Sequence, residues 1–94
     1  LRISRGDFPY LTGSIRKDET GYAVYVGTRP GAPMKAVKAS ALLTEKGAAA
    51  AKEAGELAAE ELNLQKNSHA SKEYRQAMTK SMVVRLVKEV EAWN

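Results

Sequence analysis

The sequence predicts an α+β fold, an antiparallel sheet of about three strands packed against three helices (an α+β sandwich). Three observations predict it. β-Branched and aromatic residues gather in the first third of the chain, punctuated by glycine and proline. The remainder carries apolar residues at a spacing near 3.6. Strand-like segments precede helical ones with no βαβ alternation, which leaves antiparallel pairing with the helices on one face. The length of 94 residues fits a single domain, residues 1–94.

Residues 8–15 hold β-formers around Gly13. The polar stretch Arg16-Lys17-Asp18-Glu19-Thr20-Gly21 ends in glycine and reads as a turn. Tyr22-Ala23-Val24-Tyr25-Val26 follows as a second strand, so the two make a β-hairpin. Alternation puts Tyr22, Val24 and Val26 on one face and Ala23 and Tyr25 on the other. Gly27-Thr28-Arg29-Pro30-Gly31-Ala32-Pro33 reads as a loop, with Pro33 suited to the first turn of the next helix.

Over residues 34–43, Met34, Val37, Ala41 and Leu42 form the apolar stripe of a short first helix, interrupted by Thr44 and Gly47. A second helix is expected over residues 48–62, with Ala54, Leu57, Ala58 and Leu62 buried. Gly55 inside it costs ~1 kcal/mol relative to alanine and so points to a close packing contact. Residues 65–70 form a polar connection, and Ser71 is a suitable N-cap. The third helix, residues 72–93, carries the longest stripe: Tyr74, Met78, Met82, Leu86, Val90 and Trp93, supported by Val83 and Val87.

Composition excludes several functions. Without cysteine there is no disulfide framework and no cysteine-ligated zinc or iron–sulfur site. No apolar run reaches the ~20 residues needed to cross a bilayer, and nothing resembles a signal peptide. A cytoplasmic protein with no membrane partner is expected. The chain opens on Leu1 without an initiator Met, as a processed chain or an excised piece would. The net charge of +4 is spread among interleaved acids and bases, which reads as a mixed solvated surface.

The residues offer no catalytic constellation and no metal site. The single histidine, His69, lies in the polar connection without an evident orienting partner. Glu53, Glu56, Glu60 and Glu61 share the second helix, where spacing alone makes a solvated face rather than an acid–base pair. The glycine-rich loop at 27–31 lacks both the Walker ending and the spaced glycines of a dinucleotide fingerprint. Arg5-Gly6-Asp7 spells an adhesion tripeptide that is taken as coincidence here.

Three segments, in order, resemble one known domain. Ser4-Arg5-Gly6-Asp7-Phe8-Pro9-Tyr10-Leu11 resembles the opening of the C-terminal domain of the FAD-binding (medium) subunit of molybdenum hydroxylases, the xanthine dehydrogenase and carbon monoxide dehydrogenase flavoprotein family. Val26-Gly27-Thr28-Arg29-Pro30-Gly31-Ala32-Pro33-Met34-Lys35-Ala36, continued by Ala39-Ser40-Ala41-Leu42-Leu43, resembles its strand end, glycine turn and helix start. Ala70-Ser71-Lys72-Glu73-Tyr74-Arg75-Gln76-Ala77-Met78, with Val83-Val84-Arg85 after it, is similar to the start of its last helix; Glu73-Tyr74-Arg75 is the most specific piece. The chain departs from the family pattern at Thr28, where a second glycine is usual, at Ala32-Pro33 in place of Thr-Pro, and at Asn67-Ser68-His69.

The resemblance implies an accessory domain of an oxidoreductase, not catalytic by itself. FAD would be bound mainly by preceding domains, with none held by this domain alone. Asp7, Arg5 and Phe8 would lie near the flavin in the parent protein. The implied partners are those preceding FAD-binding domains and the molybdenum and iron–sulfur subunits, with electrons passing from the clusters through the flavin to an acceptor. The alternative is a small basic nucleic-acid-binding module using Arg16, Lys17, Arg29, Lys35 and Lys38, whose affinity would fall steeply with salt. No RRM, KH, zinc-finger or helix-turn-helix signature supports it, so nucleic acid is not the expected partner.

Overall fold

A computed structural model of the chain describes residues 2–8, 11–28, 33–62 and 72–92. The hairpin is its centre. Asp18 Oδ1 accepts from the Thr20 backbone N–H at 2.8 Å and from the Thr20 hydroxyl at 2.6 Å, which closes the turn. Gly21 then restarts the chain at φ 134°, a backbone setting that side-chain-bearing residues rarely adopt. The strands that flank the turn, β2 (Leu11–Asp18) and β3 (Gly21–Thr28), pair antiparallel along their whole length. They run further toward the turn than the polar composition of residues 16–18 suggested.

Two strands complete the sheet. β1 (Arg2–Phe8) pairs antiparallel with β2, and the short β4 (Met34–Lys35) pairs antiparallel with β3, giving the order β1-β2-β3-β4. The antiparallel α+β class stands, with four strands in place of about three. Pro33 and Met34 do not open a helix, because residues 34–35 are claimed by the edge of β3.

Burial alternates along the three long strands. Ser4 and Gly6 of β1, Leu11, Gly13 and Ile15 of β2, and Tyr22, Val24 and Val26 of β3 all lie buried on one side. The face assigned to Tyr22, Val24 and Val26 is the core face, as the alternation requires. Among the described residues, the helices cover this side only.

Helix α1 (Val37–Lys46) is followed by a 3₁₀ turn (Gly47–Ala50) and helix α2 (Ala51–Leu62). The expected stripe of α1 is wrong. Val37 and Ala41 are exposed and Leu42 is half-buried, whereas Ala39, Ser40 and Leu43 are buried. The reason is polar. Ser40 is drawn inward by hydrogen bonds, described below, and the helix turns with it. The α2 stripe holds: Ala54, Ala58 and Leu62 are buried and Leu57 packs against them. Gly55 is a contact point, because a Cβ there would stand 3.0 Å from Lys80 Cα on the last helix.

Helix α3 (Lys72–Ala92) supplies Met82, Val83, Leu86, Val87 and Val90 to the core, with Met78 packed at the margin. Tyr74 is half-buried. Ser71, Trp93, His69 and the connection at 65–70 lie outside the described residues. The helix sits close on the sheet at a cross-strand glycine pair, Gly6 opposite Gly13. A Cβ on Gly13 would meet Met82 Cε at 2.5 Å and Tyr25 O at 3.2 Å. Burial of each large aliphatic side chain in this layer contributes about 1.5–3 kcal/mol.

Candidate functional site

The segment singled out by resemblance is strand β1. It is an edge of the sheet, and its register sets Arg5 opposite Ser14, Asp7 opposite Thr12 and Phe8 opposite Leu11. Arg5 is exposed on the side away from the helices. The side chains of Asp7 and Phe8 lie outside the described residues. β1 was not legible as a strand because Arg, Ser, Gly and Asp are poor β-formers. Its inner positions instead suit the space beneath α3. Ser4 Oγ donates to Glu89 Oε2 at 2.5 Å, Arg2 Nη1 donates to the Val90 carbonyl at 3.3 Å, and a Cβ on Gly6 would stand 2.7 Å from Arg85 Nη2.

Among the described residues, no helix covers the other face of the sheet, called the bare face below. Residues paired across neighbouring strands share a face, so Arg5, Ser14, Tyr25 and Lys35 form one row across all four strands. Ile3, Arg16 and Ala23 form the next row. Where this face meets α1, a groove of about 630 Å³ is lined by Arg16, Ala23, Tyr25, Lys35, Val37 and Ala41 among others. Arg16 is balanced in part by Asp18 at 3.8 Å.

The basic residues grouped by sequence are therefore divided. Arg16 and Lys35 share the bare face. Lys17 points to the other side, where its Nζ donates to Glu91 Oε1 at 2.7 Å and stands 5.1 Å from the centroid of the Tyr22 ring. Lys38 is exposed on α1, and Arg29 lies outside the described residues.

The Lys17–Tyr22–Glu91 cluster ties the end of α3 to the hairpin, with the Tyr22 hydroxyl also donating to Glu91. The Lys17 ammonium, helped by that hydroxyl, holds the Glu91 carboxyl below its ordinary value. Burial, and then the bond to Glu91, pushes the Tyr22 phenol up. The same carboxylate raises Lys17. Residues so far apart in the chain give no sequence signal for such a cluster.

Two further polar devices escaped the sequence reading. Helix α1 finishes the free edge of β3. The Ala36 N–H donates to the Val24 carbonyl at 2.7 Å, Ser40 Oγ accepts from the Val24 N–H at 2.8 Å, and Thr44 Oγ1 accepts from the Tyr22 N–H at 3.0 Å. Ser40 and Thr44 are one helical turn apart, so their hydroxyls continue the ladder where β4 stops. A Ser/Thr pair at i, i+4 in a helix that follows a strand is a signal that could have been read. The second device is Glu61. Its carboxylate accepts from the Lys38 N–H at 3.1 Å and, at 3.5 Å, from the Ala39 N–H. Those are donors at the start of α1, which has no side-chain cap of its own. Glu56 pairs with Lys80 at 3.0 Å, and Glu53 and Glu60 are exposed. No acid–base pair is assembled by these four carboxylates.

Among the described residues no group of His, Asp and Glu is arranged to hold a metal ion, and no helix is long and apolar enough to cross a membrane. The described residues do not fit a whole FAD. The grooves are open, and the groove hydroxyls of Ser40 and Thr44 are committed to the edge of β3.

Comparison with known proteins gives one finding. No significant match appears among curated proteins or among solved structures. The family model described as the CO dehydrogenase flavoprotein C-terminal domain matches residues 7–90. That match takes in β1 from Asp7 onward, the rest of the sheet and all three α-helices as far as Val90, and the chain belongs to that family.

Proposed function

We propose that this chain is the accessory domain that completes the FAD-binding subunit of a molybdenum-hydroxylase-type oxidoreductase. The observation that carries the reading is the family match over residues 7–90. In this reading FAD is gripped by domains that precede this one. The complete protein works with molybdenum and iron–sulfur subunits in the cytoplasm, passing electrons from the clusters through the flavin to an acceptor. This domain supplies packing surface and a strand edge. It is not catalytic alone, since a cofactor carries its own chemistry and the protein positions and shields it.

The same reading gives Asp7, Arg5 and Phe8 a place beside the flavin ring. The exposure of Arg5 on an edge strand supports it. A carboxylate near the ring opposes added negative charge on the reduced flavin by Coulomb repulsion in a partly desolvated site. Asp7→Asn in the complete flavoprotein tests this, with flavin potential, acceptor kinetics and thermal stability measured together. The expected result is a raised potential and altered acceptor kinetics at unchanged stability. Unchanged potential and kinetics would make Asp7 a surface strand residue.

A further inference from the structure

Strand β1 is held differently from its neighbours. β2 gives Leu11 and Ile15 to the core, and β3 gives Tyr22, Val24 and Val26. Among the described side chains of β1 none is a buried hydrophobic one: Ser4 and Gly6 occupy buried inward positions, and Ile3 is exposed on the other face. Its ladder is one-sided, because only β2 pairs with it among the described strands. A strand whose inner face is small and polar has little in its hydrophobic pattern to fix its register. Helix α3 supplies what the pattern lacks. Its contacts step along β1 two residues at a time while running back along the helix. Arg2 Nη1 donates to the Val90 carbonyl at 3.3 Å, Ser4 Oγ donates to Glu89 Oε2 at 2.5 Å, and the Arg85 guanidinium lies over Gly6, its Nη2 2.7 Å from where a Cβ would stand. Glu89 joins the last two, since its Oε1 stands 3.5 Å from the Nε of Arg85, one helical turn away. Hydrogen bonds to a carboxylate are stronger than neutral ones.

We infer that Arg85 and Glu89 are positioning residues: they fix β1 in register on the sheet and so set where Arg5 and Asp7 stand along its outer side. What those two residues then face rests on the proposed function. Strand residues alternate between faces, so a slip of one residue would turn Arg5 inward and Ser4 and Gly6 outward. A slip of two keeps the faces but breaks the contacts. It sets Gly6, which has no hydroxyl to donate, beneath Glu89, or it sets Ser4 beneath Arg85, where a Cβ crowds the guanidinium. The observed register alone gives the carboxylate a hydroxyl and the guanidinium a residue without a side chain.

The test uses the complete flavoprotein and two variants that change charge in opposite senses, Glu89→Ala and Arg85→Ala. Amide hydrogen exchange is followed by mass spectrometry on peptides covering β1 (residues 2–8) and β3 (residues 21–28), and the flavin potential is measured on the same samples. In both variants β1 is expected to exchange at least about tenfold faster than in wild type, with β3 at the wild-type rate, because only the edge strand is released. The potential is expected to rise in both, as it is for Asp7→Asn. Charge alone would act otherwise: losing a carboxylate raises the potential, and losing a guanidinium lowers it. β1 exchanging at the wild-type rate in either variant overturns the inference, and so does equal acceleration of β1 and β3. Faster exchange confined to β1, with potentials that stay put or move in opposite directions, upholds the anchoring and refutes only the placement of Arg5 and Asp7 beside the flavin.

Discussion

Replacing Ser40 with alanine isolates the device that closes the sheet edge. Ser40 is 4% exposed; its hydroxyl accepts from the Val24 N–H at 2.8 Å and donates to the Ala36 carbonyl at 2.7 Å. Ala36 O also accepts from the Ser40 N–H at 2.9 Å, so it keeps a partner in the variant. The Val24 N–H loses the acceptor supplied by Ser40 in a fully buried residue. An unsatisfied buried donor costs ~1–3 kcal/mol. Alanine's better helix propensity returns at most ~0.5 kcal/mol, so a net loss of about 1–2.5 kcal/mol is expected. Thr44→Ala is the control. Thr44 makes the same kind of bond to the Tyr22 N–H but is itself exposed, so water can replace it. Its loss is expected to stay near or below ~1 kcal/mol. Urea melts of both variants with unchanged m-values give the comparison. Equal effects, or a smaller one for Ser40→Ala, would refute the edge-closing argument.

Three other outcomes follow from the packing. Leu86→Ala, at a residue 1% exposed under the sheet, is expected to destabilise by ~2–5 kcal/mol in a denaturant melt. Gly13→Val would drive a side chain into Met82 and the Tyr25 carbonyl, and a loss of ~1–3 kcal/mol in the same assay is expected from overpacking. The Glu91 carboxyl is held below its unfolded value of 4.5, so its contribution is complete above that pH and is lost as pH falls through the lower folded value. Melting temperature followed below pH 4.5 is therefore expected to drop more steeply for wild type than for Glu91→Gln. Parallel curves would show that the Lys17–Tyr22–Glu91 cluster adds nothing.

Periodicity made α3 legible, because Met82, Leu86 and Val90 are both the most apolar residues of their segment and its buried ones. The same rule misread α1. There one of the buried positions is a serine used for its hydroxyl, and Met34 and Val37, which looked like core, are exposed. Hydrophobicity identifies the residues that leave water, and it says nothing of polar groups drawn in by a hydrogen bond. β1 and β4 are strands by virtue of partners, not composition. Glycine is favoured at 6 and 13 because Arg85 and Met82 of α3 occupy the space above them, and residues 34–35 pair because β3 has an open edge. The candidate site divides in the same way. The family was legible from motif order, through Arg5-Gly6-Asp7-Phe8 and Glu73-Tyr74-Arg75. The row on the bare face was not, since it joins Arg5, Ser14, Tyr25 and Lys35 through register alone.

The central claim is that this domain completes a flavin-binding subunit without holding the flavin itself. Flavin stoichiometry tests it most directly, measured by absorbance on this chain purified alone and on the complete flavoprotein that carries it. The account predicts stoichiometric FAD on the complete protein and none retained by this chain. Stoichiometric FAD on this chain alone, or none on the complete protein, would contradict it.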